Sequence, residues 1–201
     1  MSAREPWADV ALQGIRAAGR ADRFEVASLL ARMDQDGLYE RHFAHGEAPN
    51  LALLRRLDAV DGRNRVALLA VGADDMAIGH AEYVATDGTA EFALLVHPSA
   101  RDRGVGRALL AALVERATQV GLVQMNGLIL ATNTRAIQLS RKLGFRLRPG
   151  EDRRTVIVSR PLWTAPASAA GSPDATSPGV PKEPFNHHDI DRISLHRRAG
   201  T

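Results

Sequence analysis

Residues 94–107 read Leu-Leu-Val-His-Pro-Ser-Ala-Arg-Asp-Arg-Gly-Val-Gly-Arg. An apolar run stops at His97-Pro98, and two closely spaced glycines, Gly104 and Gly106, follow among arginines. A helical pattern starts at once, with Leu109, Leu113, Ala117 and Val120 on one stripe and Leu110 and Val114 beside it. A strand that delivers a glycine turn onto a helix N-terminus makes an anion site. Backbone N–H groups point outward, the helix dipole adds partial positive charge, and glycine admits a phosphate closely. Arg101, Arg103 and Arg107 add full charges. The chemistry expected here is the binding of a phosphorylated ligand.

The spacing excludes two common phosphate loops. No lysine follows the glycines, as a nucleoside-triphosphate loop requires, and Leu109 stands where the dinucleotide fingerprint has its third glycine. A second segment, residues 133–145, reads Asn-Thr-Arg-Ala-Ile-Gln-Leu-Ser-Arg-Lys-Leu-Gly-Phe. It predicts a short helix with Asn133 as N-cap and Ala136, Ile137, Ser140 and Leu143 on one face. Arg141 and Lys142 fall in the last turn, Gly144 takes the left-handed position and Phe145 folds back. Arg101-x-x-Gly104-x-Gly106 resembles the acetyl-CoA signature of the GNAT superfamily of N-acetyltransferases. The segment from Asn133 to Phe145 is similar to the second signature of that superfamily, at the expected distance after the first.

The resemblance covers roughly residues 9–162 and narrows further. Ala90 to Val96 with Arg101 to Gly106, the run Met125 to Leu130 and, more loosely, Leu38 to Phe43 resemble the acetyltransferase domain of bacterial Pat-type protein-lysine acetyltransferases. The resemblance implies acetyl-CoA as cosubstrate and direct transfer to a primary amine in a ternary complex. The implied partner is a protein-lysine acceptor, with an acyl-CoA synthetase as a candidate. It places Leu94, Leu95 and Val96 along the acetyl and pantetheine arm, with the Val96 N–H as oxyanion donor. Arg101, Asp102, Arg103, Gly104, Val105, Gly106 and Arg107 would wrap the pyrophosphate, and Asn133 would touch the cosubstrate from the facing helix. Glu91, in an otherwise apolar strand, would be the general base, with Glu82 on the neighbouring strand in reserve. Where many GNAT enzymes have a tyrosine acid this chain has Ser140, which implies that the thiolate leaves unaided or through water. Simpler roles stay open. Glu91 could be a solvent-facing carboxylate paired with an arginine, Asn133 only a cap, and Arg101 a partner of Asp102 or Glu115.

Around these residues the sequence predicts a strand from Asp9 to Arg16 and a helix from Ala21 to Met33. Residues 36–58 resist placement, apart from a Tyr39, His42 and Phe43 cluster and a short helix from Leu51 to Leu57. Strands are expected at Arg65 to Val71, Met76 to Ala85 and Thr89 to Val96, the last two joined at the hairpin signal Asp87-Gly88. Further strands are expected at Val123 to Leu130 and Arg154 to Ser159. The order β-α-α-β-β-β-α-β-α-β predicts an α+β fold. The resemblance makes it the GNAT fold, a mixed and mostly antiparallel central sheet with helices on both faces.

The 201 residues suffice for one domain with a sizeable core, and 45% apolar content is ordinary. The domain is expected over residues 1–163. After Trp163 the composition shifts to Ala, Ser, Pro and Gly, so residues 164–201 are expected to be a disordered tail. Phe185, Ile190, Ile193 and Leu195 could form a docking motif in it, whereas His187, His188 and Asp189 lack a fourth metal ligand. Absence of cysteine excludes disulfides, thiolate metal sites and a cysteine nucleophile, and no metal site is expected. The net charge is only +3, and Lys142 and Lys182 are the only lysines. Arginine is dispersed, so no nucleic-acid partner is expected. No apolar leader or membrane-length run occurs, which gives a cytoplasmic expectation without a membrane partner. Two other functions compete: acetylation of a small-molecule amine, and a non-catalytic acyl-CoA-sensing module.

Overall fold

The computed structural model describes residues 11–42 and 48–162. Phe43, the 163/164 boundary and the whole C-terminal segment lie outside the described residues.

The elements follow in the order β1 (Gly14–Ala18), α1 (Arg23–Ala31), α2 (Gln35–His42), α3 (Ala48–Arg56), β2 (Arg65–Val71), β3 (Ala77–Thr86) and β4 (Thr89–Val96). Then come α4 (Val105–Gln119), β5 (Gln124–Leu130), α5 (Thr134–Lys142), β6 (Arg146–Pro149) and β7 (Thr155–Pro161). The seven strands form one sheet in the order β1-β2-β3-β4-β5-β7-β6. Every neighbouring pair is antiparallel except β4 with β5. The mixed, mostly antiparallel α+β sheet read from the sequence is therefore the fold.

Two cores sandwich this sheet, as expected of helices on both faces. On one face, α4 buries Val105, Leu109, Leu110, Leu113, Val114 and Ala117 against Val66, Leu68, Ala81 and Tyr83, and α5 joins through Ala136, Ile137, Leu139 and Leu143. Each fully buried leucine contributes about 1.5–3 kcal/mol. On the other face, Val26, Leu29 and Leu30 of α1, Leu53 of α3 and Leu57 just after it cover Ala67, Leu69, Ala77 and Leu95.

Several elements differ from expectation. The first strand begins at Gly14, not Asp9, and α1 is shorter than Ala21 to Met33 because a 3-10 turn over Arg20–Asp22 precedes it. The unplaced stretch holds two helices, α2 and α3. Helix α2 escapes apolar periodicity because it reads Gln-Asp-Gly-Leu-Tyr-Glu-Arg-His and is fastened by charge, as shown below. Strand β6 (Arg-Leu-Arg-Pro) also escapes, since only Leu147 of this edge strand packs on the core. The Asp87-Gly88 hairpin forms as read, with Thr86 opposite Thr89 and both turn residues at positive φ, 49° and 78°.

Candidate active site

The parallel ladder between β4 and β5 holds only at Thr89–Gln124, Ala90–Met125 and Glu91–Asn126. Beyond Glu91 the two strands part, and β4 runs on alone on that side to Val96. Phe92 occupies the wedge. Its ring lies so close to Gly127 that a Cβ there would stand 2.6 Å from it, and it meets Phe145 edge-on at 5.3 Å between centroids. Gly127 is thus glycine because the ring covers its backbone.

The register decides what the gap contains. Val96 lies opposite Gly79 on β3, and the His97 N–H donates to the Ile78 carbonyl. That bond marks Val96–Gly79 as a non-hydrogen-bonded pair, so the N–H and C=O of Val96 point away from β3, towards the gap. By the same alternation Leu94 turns its N–H to the gap, whereas Leu95 exchanges hydrogen bonds with His80. The side chains alternate too. Leu94 and Val96 lie on the α4 face, each about 3.6 Å from where a Gly106 Cβ would be. Leu95 is buried in the opposite core. Leu95, expected along the pantetheine arm with Leu94 and Val96, thus directs its backbone to β3 and its side chain to the opposite core.

The turn after β4 has the geometry of an anion cradle. Asp102 and Gly104 both take positive φ, 58° and 85°, and Gly104 caps α4 with open space where a Cβ would be. Ala108 makes the first helical bond, to the Gly104 carbonyl at 3.0 Å, so the N–H groups of Gly104, Val105, Gly106 and Arg107 precede the ladder. Val105 can offer only its backbone, because its side chain is fully buried 3.2 Å from a Cβ built at Gly79. Arg103 and Arg107 are exposed at the mouth. Asp102 turns to Arg135 of α5 at 3.4 Å, an exposed pair of little energetic weight.

Arg101 departs from expectation. Its two terminal nitrogens grip Asp34 at 2.7 and 2.6 Å, and its Nε donates to the Val96 carbonyl at 3.4 Å. The carboxylate that its guanidinium hydrogen-bonds is thus Asp34, not Asp102 or Glu115. Asp34, which precedes α2, also accepts from the Gly37 N–H at 3.0 Å. Glu40, further along α2, is half-buried, and its carboxyl is pushed up by that burial.

Asn133 caps α5, accepting from the Ala136 N–H at 2.9 Å. Gly144 at φ 79° and the Phe145 N–H bond to the Ser140 carbonyl (3.0 Å) complete the predicted helix end. Ser140 is buried and donates to the Ala136 carbonyl at 2.9 Å, so its proton is held within α5.

Glu91 lies at the last paired position before the strands part, half-buried on the α1–α3 side of the sheet. Glu82, diagonal to it across β3–β4, is differently placed. It is 7% exposed, accepts from Arg56 Nε at 3.0 Å and is ion-paired with Arg41. Burial alone would raise its carboxyl, but the facing Arg41 and Arg56 guanidiniums prevail and lower it to about 2. Held ionised between two guanidiniums, Glu82 ties α2 and α3 to β3. His80, next on the same face of β3, is fully buried, and neither ring nitrogen has a hydrogen-bond partner; burial lowers it to about 4. Asp34, Glu40 and His80 escaped the sequence reading. Only the acidic spacing Asp34, Asp36 and Glu40 hinted at a charged helix start.

Among the described residues no helix is long and apolar enough to cross a membrane.

The profile of the acetyltransferase (GNAT) family matches residues 26–145. The GNAT domain of PAT from S. lividans shares 22% identity over 77% of this chain and 97% of that one, with a TM-score of 0.66. A GNAT superfamily phosphinothricin acetyltransferase from Sinorhizobium meliloti, solved with AcCoA, shares 25% identity over 74% and 87%, with a TM-score of 0.60. A ribosomal-protein alanine N-acetyltransferase from Escherichia coli shares 19% identity over 77% and 97%, with a TM-score of 0.59.

Proposed function

The chain belongs to the acetyltransferase (GNAT) family, and from that premise we propose that it acetylates a lysine ε-amine of a protein by direct attack on acetyl-CoA. N-acetyl transfer with acetyl-CoA as donor is the chemistry of the family. The donor set fits that cosubstrate. Open space over Gly104, the outward N–H groups of residues 104–107 and the exposed Arg103 and Arg107 suit a pyrophosphate.

The single observation that carries the reading is the parting of β4 and β5 after Glu91, with the Val96 N–H facing the gap. In this reading the Val96 N–H donates to the thioester oxygen as negative charge grows there, stabilisation worth about 3–4 kcal/mol for one such donor. Glu91 accepts the ammonium proton, directly or through one water, because only the free amine attacks. The nitrogen–carbon bond forms, the carbon–sulfur bond breaks and the thiolate leaves, and the proton that the acylated nitrogen sheds passes through water to the thiolate. Ser140, its hydroxyl bonded within α5, has no part in that step.

The lysine acceptor rests on the resemblance of the Glu91 strand and of Met125 to Leu130 to Pat-type enzymes. A small-molecule amine is the second reading, favoured by the likeness to the phosphinothricin enzyme at 25% identity. Both are tested by thiol release from acetyl-CoA against a panel of lysine-bearing proteins, including acyl-CoA synthetases, and a panel of small amines. Glu91→Gln runs in parallel with calorimetric titration of acetyl-CoA. Thiol release that depends on protein acceptors and collapses in the variant, while binding persists, supports the reading. Turnover on small amines alone moves the acceptor to that class. Binding without turnover on either panel indicates an acyl-CoA-sensing module.

A further inference from the structure

The glycine-turn arginine of this chain is engaged by groups of the protein itself. Arg101 lies where β4 ends, and its three donors divide between two elements. Nε bonds the Val96 carbonyl, which points into the gap, and the terminal nitrogens bond both oxygens of Asp34. Asp34 in turn holds the start of α2 through the Gly37 and Leu38 N–H groups, one by its side chain and one by its carbonyl. The peptide after Val96 is thereby fixed from both sides, by Ile78 through the His97 N–H and by Arg101 through the carbonyl.

An independent feature belongs to the same contact. A Cβ at Gly37 would overlap Arg101 Nη2, and would stand 2.5 Å from Asp34 Oδ1 and 2.8 Å from Met33 Cε. All three atoms end flexible side chains. A side chain at position 37 would therefore displace the guanidinium while leaving the backbone intact. Glycine is otherwise a poor choice inside a helix, by about 1 kcal/mol against alanine. The missing Cβ is the room in which Arg101 docks.

We propose that Arg101 is a positioning residue that locks the first turn of α2 to the peptide following Val96, where β4 borders the gap, and is not a ligand of the cosubstrate's phosphates. Its catalytic meaning rests on the transferase reading above. Because the lock is a bidentate pair plus a third donor, lysine cannot replace it.

The test uses Asp34→Asn, Gly37→Ala, Arg101→Gln, Arg101→Lys and the Asp34→Asn/Arg101→Gln double variant of the whole chain. Amide hydrogen exchange is followed over residues 34–38 and 96–101, with calorimetric titration of acetyl-CoA and steady-state thiol release. Each single variant is expected to lose protection in both segments together. Acetyl-CoA affinity should stay within about threefold, and kcat should fall by about tenfold or more, roughly 1.4 kcal/mol or above. The double variant should be no worse than Arg101→Gln, since one contact is lost only once. Gly37→Ala is the decisive member, because a role in helix stability alone predicts better protection of α2, not worse.

The proposal is overturned if protection is unchanged in both segments. It is also overturned if Arg101→Gln weakens acetyl-CoA tenfold or more while Asp34→Asn and Gly37→Ala do not, which would make Arg101 a phosphate ligand. A wild-type protein that binds no acetyl-CoA sinks the transferase reading instead, and the exchange measurement still decides whether the lock exists.

Discussion

Replacing Glu82 by glutamine separates an anchor from a base. The Glu82 carboxylate is buried between Arg41 of α2 and Arg56 of α3, and its pKa is lowered from the ordinary 4.5 to about 2. A difference of about 2.5 units at 1.36 kcal/mol each makes its ionised form worth roughly 3 kcal/mol to the folded state at neutral pH. The same figure is reached from the other direction, since removing one partner of a buried ion pair costs about 3–5 kcal/mol by stranding the other charge. Here two guanidiniums are stranded, and Arg41 Nε already has no partner. Glu82→Gln should therefore lower the thermal midpoint by about 6–12 °C at pH 7. The sign with pH follows from the lowered folded value. The contribution is complete above about pH 4.5 and is lost as pH falls towards about 2, so the gap between wild type and variant should close on acidification. The assay is thermal unfolding followed by circular dichroism from pH 7 to pH 3, with thiol release measured at a temperature where both proteins are folded. If Glu82 is an anchor, kcat of the folded variant stays within about threefold, under 1 kcal/mol. A gap below about 1 kcal/mol at pH 7, or one that widens in acid, refutes the electrostatic reasoning. A loss of about 100-fold or more in a folded variant that still binds acetyl-CoA would make Glu82 the base and remove Glu91 from that role.

His80→Phe should be neutral or stabilising, because an imidazole with no hydrogen-bond partner is exchanged for an apolar ring. It should also flatten the stability profile between about pH 6.5 and 4, where the unfolded chain takes up a proton that buried His80 refuses; denaturant titrations at both pH values decide it. Gly104→Ala should cost about 1–2 kcal/mol, since its φ of 85° is left-handed. It should also weaken acetyl-CoA in calorimetry; unchanged stability would contradict the backbone assignment. Gly127→Ala should cost about 1–3 kcal/mol by pushing Phe92 out of the wedge, and Gly127→Ala/Phe92→Leu should regain part of that loss in a denaturant midpoint. Asn133→Ala should lose about 1 kcal/mol as a cap. An accompanying loss of acetyl-CoA affinity would add a cosubstrate contact to that role.

Local physics was legible in the sequence wherever a few neighbouring residues settle it. The Asp87-Gly88 turn, the cap and end of α5 at Asn133 and Gly144, and the glycine turn onto α4 each follow from the φ that those residues tolerate or the N–H that they satisfy. The alternating and periodic apolar runs likewise marked β2, β3, β4 and α4, because each faces a continuous core. Helix α2 was not legible. Its stability comes from Asp34 with Arg101 and from Arg41 with Glu82, pairs joining residues 67 and 41 positions apart. Charge carries no periodicity that announces a partner so distant.

Residue types and spacing marked an α+β chain with a turn suited to phosphate and placed Glu91 and Val96 on one strand, and the resemblance of two of its segments to GNAT signatures implied an acetyltransferase. Tertiary structure decided what those residues can do. Only the β3–β4 register turns the Val96 N–H to the gap and Leu95 away from it, and only the parting of β4 from β5 opens that gap. It likewise engaged Arg101 with Asp34 and submerged Glu82 between two arginines. Direction along a ladder and the company of a charge are relations between distant segments, and such relations exist only once the chain has closed upon itself.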